Sequence, residues 1–491
     1  MPDDVSSFAG PGGIRPIRSR WVVLADAVLE TAAHLGGQGD GPTDMPLLRD
    51  AREGKPLLPG TSLAGALRSH LADVLCGYDE DEHGNPYVSL LFGDRQNTEK
   101  EEESTGGNPG KQSPLIVFDS LGTLPEDKSI EIRDGVAIEP KTGTAEEKKK
   151  FDYEVIPAGT TFPIRVELVV EETEKEDILV SLLLASLSGL ADGEISVGAR
   201  RSRGFGRLCI RSWRAHRYDL SSAEGWLSWL LTDPEKPLPQ GVLAKKSLRE
   251  ALESAWPGWK PRDFEDKRQR LLIELQLSFS GGILVRSSGT TADAPDAVHL
   301  KSSGKPVLPG TGLAGVLRNR ALRIARIVRQ NLGDAELWVS RVFGPRFEGG
   351  VPPAGFKMRA SRLRISESVI EGGYPMRPSR IRLDRFTQGV FLGALFDEEP
   401  IYGGTAAVRL ELHNPQAGEA GLLLLLVKDL LSGDLTVGGT ASVGRGILKG
   451  SARIQFEDGT TVEVSSDKTL PKEQLERLNG KIAQFMSTVP A

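Results

Sequence analysis

Residues Gly54–Arg68 read GKPLLPGTSLAGALR, and residues Gly304–Arg318 read GKPVLPGTGLAGVLR. The spacing from Pro59 to Pro309 is far beyond any solenoid period, so each copy predicts a whole domain. The surrounding landmarks return in the same order. An alternating apolar strand running into glycines precedes each copy, at Trp21–Gly37 and Leu271–Gly282. A helix and a Phe-Gly step follow, at Phe92-Gly93 and Phe343-Gly344. Strand-like stretches come next, Pro114–Leu121 and Lys357–Ser366. Then Glu154–Thr160 (EVIPAGT) answers Glu399–Thr405 (EPIYGGT), and an apolar helix follows each, Ile178–Leu190 and Ala420–Leu431. Each half closes on glycines, Val197–Leu208 (VGARRSRGFGRL) and Val437–Leu448 (VGGTASVGRGIL). The chain therefore divides into an N-terminal segment 1–19, a first domain 20–217, a connector 218–267, a second domain 268–456 and a C-terminal hairpin and helix 457–491.

A length of 491 residues fits two or three cores better than one. No apolar run approaches the roughly 20 residues of a membrane span, and the N-terminus lacks the apolar region of a signal peptide. With only Cys76 and Cys209, a disulfide framework or cysteine-rich zinc site is excluded. A cytoplasmic protein is expected. The net charge of −6 does not by itself suggest a nucleic-acid partner, but the signs are segregated. Asp79–Glu82, Glu99–Glu103 and Glu171–Asp177 are acidic, whereas Arg200–Arg217 and Arg318–Arg385 are strongly basic. Asn97–Gln112 reads as a polar loop.

The repeated parts have a local chemistry. Pro59-Gly60 makes a turn, and Thr61 or Ser62 can cap a helix beginning near Leu63, with Leu63, Leu67 and Leu71 inward and Arg68 elsewhere. Such a start offers free N–H groups to a phosphate. Gly310, Thr311, Gly312 and Arg318 repeat the design, and a plain capped core helix is the competing reading. In the first Gly-rich segment Arg200, Arg201, Arg203 and Arg207 surround Gly204, Phe205 and Gly206. Arginines grip phosphates, glycines allow close approach, and an exposed Phe gives a base a stacking surface. A tight turn with solvated arginines is the alternative. The second copy keeps Gly444, Arg445 and Gly446 and loses the arginine cluster. No Walker A motif is present.

Taken together, these segments resemble the RAMP superfamily, nearest to the Csm-type backbone subunits of type III CRISPR–Cas complexes. Two fused units look like the multi-domain subunits of type III-D complexes. The resemblance implies an α+β protein, two tandem domains with modified RRM (ferredoxin-like) cores. It also implies a thumb β-hairpin in each, within Asp134–Asp152 and Arg385–Glu398. It implies crRNA, a complementary target RNA and other type III subunits as partners, with Mg²⁺ for target cleavage. In catalytic members an aspartate in the loop after the first strand supports that cleavage. Asp44, in Thr43–Asp50 (TDMPLLRD), matches that loop. In the second half Asp293 keeps the Asp-x-Pro pattern, but its loop is one residue longer up to the Lys-Pro step, so Asp296 competes. Lys357–Arg385 is expected to line a basic groove. His34 and His299 lack a metal-ligand partner at suitable spacing, and a satisfied strand-end histidine is the expectation for His34. A non-catalytic scaffold of the same complex and a guide-processing RAMP endonuclease are the alternative functions.

Overall fold

The computed structural model describes residues 16–38, 43–82, 85–94, 111–139, 142–289, 293–329, 332–346, 359–465 and 470–488. Most of the loop expected at Asn97–Gln112 lies outside them, as do Lys357 and Met358.

In the first half Ser19–Leu29 is a central strand, because Trp21, Val23, Ala25, Ala27 and Leu29 alternate onto one buried face. Thr161–Val170 and Leu208–Asp219 flank it, and Leu115–Val117 forms the edge, every pairing antiparallel. Helices Gly60–Cys76 and Glu176–Ala191 close the core with Leu63, Leu67 and Leu71 from one and Leu183, Leu187 and Leu190 from the other. The order strand, helix, strand, strand, helix, strand is ferredoxin-like. The second half repeats it. Leu363–Ile365, Thr405–His413, Arg270–Phe279 and Leu448–Gln455 form the same sheet, with Thr461–Ser465 added beyond, and Gly310–Arg329 and Glu419–Leu431 pack on it. The added strand turns at Asp458-Gly459, and helix Lys472–Ser487 seats Phe485 against Trp338.

A two-stranded hairpin rises from each half: Glu131–Ile138 with Ala145–Val155, and Ser379–Leu383 with Val390–Glu399. Both expose apolar side chains: Ile132, Val136 and Ile138 on the first, and Leu383, Phe386, Leu392 and Leu395 on the second.

The face opposite the helices is largely covered in the first sheet and covered only at one end in the second. In the first half Arg20 and Arg165 grip the buried Glu167. The connector lies over them, with Trp229 on Arg20 at 4.2 Å and the carbonyl of Pro234 accepting from Arg165 at 2.5 Å. Connector helix Ala223–Leu230 belongs to that layer, whereas Leu248–Ala255 joins the helix side, with Leu248, Ala251 and Leu252 in the core beside Trp21 and Trp213. The second sheet turns Arg364, Arg409, Glu411 and His413 toward the first half. There Tyr78 stacks on His413 at 3.7 Å, and its hydroxyl reaches Glu411 at 3.4 Å. The first sheet therefore lacks the bare face on which single RRM modules stack bases, whereas the second leaves Glu274, Gln276, Ala407, Lys449 and Arg453 exposed on its corresponding face.

The seam between the halves is specific. Arg133, on the first hairpin and 2 % exposed, donates two hydrogen bonds to Glu367 at 2.6 and 3.0 Å. Burial opposes the guanidinium charge, and the carboxylates of Glu367 and Glu131 more than offset it, raising its pKa. Gly204 abuts Glu367 so closely that a Cβ there would lie 2.0 Å from the Glu367 nitrogen. Ser303 N–H donates to Glu131 at 2.6 Å, and Arg346 pairs with Glu146.

Candidate active site

Asp44 sits where the loop after the first strand meets the base of the first hairpin. Its N–H donates to Oδ1 of Asp152 at 2.8 Å, and its own Oδ2 accepts from the N–H of Asp152 at 3.0 Å. Met45 then pairs in parallel with Tyr153, and Arg49 reaches Glu154 at 3.0 Å. The exposed carboxylate is thereby fixed on a rigid joint with oxygen capacity to spare.

The second half has the same joint, and Asp296 occupies the place of Asp44. Its Oδ2 accepts from the N–H of Asp397 at 3.0 Å, and Ala297 pairs in parallel with Glu398. Lys301 reaches Glu399 at 3.1 Å, as Arg49 reaches Glu154. Asp293, chosen first on its Asp-x-Pro pattern, lies outside this joint, and its carbonyl accepts from Arg377 at 3.3 Å. Counting from the Lys-Pro step misleads because the length difference falls after the aspartate. Between Arg49 and Pro56 the first chain makes a broad turn around Asp50, whose Oδ1 accepts from Arg52 and Glu53. The second closes Lys301 against Pro306 with a tight turn through Ser303 and Gly304, both at positive φ. Asp397 is held below the usual carboxylate range by hydrogen bonds from Ser379 and then Arg377. A cleft of about 450 Å³ opens beside Asp296 and Asp397; Arg286 lines it from the same half, Asp134 and Lys150 from the first hairpin. Ser288 holds that hairpin by donating to Asp134 at 2.9 Å.

The Gly-rich segments take one shape in both halves. Arg200 and Thr440 are left-handed at φ 59°, each opens a single 3-10 turn, and Gly204 and Gly444 close it at φ 85° and 81°. The side chains depart from expectation. Phe205 is 1 % exposed and packs with Tyr153 and the Arg133 guanidinium, so it is a core ring and not an open stacking surface. The aromatic and glycine spacing that suggested base stacking serves the hairpin base. Arg203 is drawn into the seam, where it donates to the carbonyl of Phe343 at 3.2 Å. Burial and then the Arg318 charge push its pKa down to about 10. Arg207 pairs with Glu30 at 2.8 Å, and Gly206 is buried against Val197. Arg200 stacks on Tyr153 at 4.0 Å, next to the residue that holds Asp44. In the second half Arg445, in the position of Phe205, is buried and bonds Glu398 at 2.7 Å; Gly446 repeats Gly206. An aromatic cluster in one half is thus an ion-pair cluster in the other.

The helix starts also differ from expectation. The first helix begins at Gly60 behind Pro59, with no side-chain cap, so Thr61 and Ser62 lie exposed inside its first turn. The Gly60 N–H donates to Asp119 at 2.6 Å and is not free for a phosphate. Gly310 begins the second helix under the Arg203 carbonyl, where a Cβ would come within 2.3 Å; Thr311 and Gly312 follow it, partly buried. Arg68 and Arg318 serve the Phe-Gly step: Arg68 donates to the Gly93 carbonyl at 3.1 Å, and Arg318 to that of Gly344 at 2.6 Å. The arginine-rich stretch does not line one groove. Arg362 is spent on Glu419 and three carbonyls, Arg364 faces the seam, and Arg377, Arg380 and Arg382 belong to the second hairpin or its approach. His34 is buried, with Nδ1 2.7 Å from the Glu154 carbonyl. His299 is also buried; its Nδ1 accepts from Val285 and its Nε2 donates to the Val307 carbonyl.

Comparison with known proteins agrees with this architecture. The family model described as RAMP superfamily matches residues 26–209 and again 294–449, one match in each half. A protein of Methanocaldococcus jannaschii, named CRISPR system Cms endoribonuclease Csm3, is 30% identical over 192 residues, covering 37% of this chain and 75% of that protein. The two ferredoxin-like cores, their hairpins and the two family matches coincide. The chain belongs to the RAMP superfamily and carries two of its units in tandem.

Proposed function

We propose that this chain is a crRNA-binding backbone subunit of a cytoplasmic type III CRISPR–Cas interference complex, and that it cuts guide-complementary RNA at Asp44 and Asp296. The observation that carries the reading is the matched joint, an exposed aspartate pinned at the foot of a hairpin in each half. The hairpins present apolar side chains that can enter between bases and splay a nucleotide. A splayed nucleotide brings its 2′-OH in line with the adjacent phosphate, so the RNA supplies the nucleophile. Asp44 or Asp296 orients that hydroxyl and takes its proton, a role worth about 10²–10⁴ in rate. The 2′-oxygen bonds to phosphorus as the P–O5′ bond breaks, leaving a 2′,3′-cyclic phosphate and a 5′-oxygen that takes a proton from water. In the second centre Lys150 and Arg286 line the same cleft and can stabilise charge on the phosphate.

A Mg²⁺ ion suits this donor set. Among the described residues no group of three or more His, Cys, Asp or Glu side chains forms a cage. Mg²⁺ commonly takes one or two carboxylates and completes its shell with water and phosphate oxygens. Asp44 with Asp152, and Asp296 with Asp397, are the residues that would hold it. Its contribution would be charge neutralisation at the phosphate.

The test is target cleavage by the guide-loaded complex. Alanine at Asp44 and at Asp296 should each erase one cut while guide and target binding persist. Unchanged cutting in the double variant would make the chain a scaffold.

A further inference from the structure

We propose that the seam between the two halves holds a phosphate-class oxyanion, gripped by Arg201 from the first half and Arg364 from the second. The site is distinct from both aspartate joints.

A half-open cavity of about 110 Å³ lies in the seam. That is room for a tetrahedral oxyanion or for a few waters, each occupying roughly 30 Å³. Arg201 enters it from the 3-10 turn of the Gly-rich segment. Arg364 enters from the second sheet, because its neighbours Leu363 and Ile365 take the core face of that strand. Ser69 and Ser196 add hydroxyl donors to the wall.

The charges around the cavity are unevenly matched. Glu194 is occupied by Arg268 at 2.6 Å and Arg270 at 2.8 Å. Glu411 is occupied by Arg409 at 3.2 Å and His413 at 3.0 Å. Arg207 is taken by Glu30. Among the described residues, Arg201 and Arg364 have no carboxylate within ion-pair distance. Arg364 makes one long contact, 3.5 Å to the Glu194 carbonyl. Asp73 is the remaining acid on the wall, and burial pushes its pKa up to about 6. His70 is pushed down to about 4, by burial first, so it adds no positive charge at neutral pH. Burial and the Arg364 charge both lower the pKa of Arg201. Two guanidiniums that line one cavity from opposite halves, Arg201 exposed and Arg364 half-buried, both without a carboxylate partner, are suited to one oxyanion that accepts from both. Such an anion binds only the joined halves and therefore stabilises the seam.

The probe is inorganic phosphate, titrated by calorimetry into the RNA-free full-length chain at constant ionic strength. Wild type should bind saturably at about one site per chain. Arg201→Met with Arg364→Met should weaken binding at least about tenfold, the effect of losing roughly 1.4 kcal/mol or more. Without phosphate that double variant should melt no lower than wild type, because neither arginine has a carboxylate partner to lose. Absence of saturable binding in wild type would overturn the proposal, as would equal binding in the double variant. A short RNA with hydroxyl ends identifies the source. If it displaces phosphate, the anion is a backbone phosphodiester; if it does not, the anion is a free phosphate.

Discussion

The pair Arg133–Glu367 allows the sharpest test of how the halves are joined. Arg133→Met removes a 2 %-exposed guanidinium and leaves Glu367, itself buried, without the donors it meets at 2.6 and 3.0 Å. Losing one partner of a buried pair costs about 3–5 kcal/mol, because the remaining charge stays desolvated. Glu367→Met should cost a similar amount. The double substitution should recover most of the loss, since burying two apolar side chains of that size carries no desolvation penalty. The assay is a double-mutant cycle by equilibrium urea denaturation. Hydrogen exchange around residues 131–133 and 365–367 would identify the transition that opens the seam. Single substitutions costing under about 1 kcal/mol would refute the reasoning, as would a double variant as unstable as the sum of the two.

Phe205→Ala should lower stability by about 3–5 kcal/mol in thermal or urea unfolding, as expected for a buried ring; unchanged stability with weakened RNA binding would instead mark an exposed stacking residue. Gly204→Ala should disrupt the seam, since its Cβ meets the Glu367 nitrogen, whereas Gly444→Ala, with positive φ but nothing within 4 Å, should cost only about 1 kcal/mol; comparing the two melting temperatures checks this. Asp73 has a folded pKa of about 6, above its ordinary value, so the folded state favours its protonated form. Its contribution is fully present at low pH and is lost as pH rises through about 6. Asp73→Asn should therefore gain on wild type across that window, by about 1–2 kcal/mol at its top after allowing for partial exposure. Urea midpoints between pH 4 and 8 would show it.

The two-unit plan was legible because each unit repeats the residues its backbone requires. Gly60 and Gly310 both stand where a Cβ would strike a carbonyl, and the Phe-Gly steps both receive an arginine from the first helix. That last pairing was visible as joint recurrence of Arg68 with Gly93 and Arg318 with Gly344, but the acceptor is a backbone atom that composition cannot reveal. The choice between Asp293 and Asp296 was not legible by counting, because the length change sits in the turn after the aspartate. The better signal was the alignment of EVIPAGT with EPIYGGT, which puts Asp397 in the place of Asp152 and so names the hairpin residue its partner must meet. The fate of the arginine cluster was hidden for another reason. Arg201 and Arg203 look alike in sequence, and what separates them is the second half docking onto their turn.

The central claim is that both units carry an equivalent cleavage centre, and mapping the cut positions tests it most directly. Guide-loaded complexes with wild-type chain, Asp44→Ala, Asp293→Ala and Asp296→Ala would be given end-labelled target RNA with Mg²⁺. Asp44→Ala and Asp296→Ala should each remove a different cut, and Asp293→Ala should keep both. Loss of a cut with Asp293→Ala but not with Asp296→Ala, or retention of every cut in all variants, would contradict it.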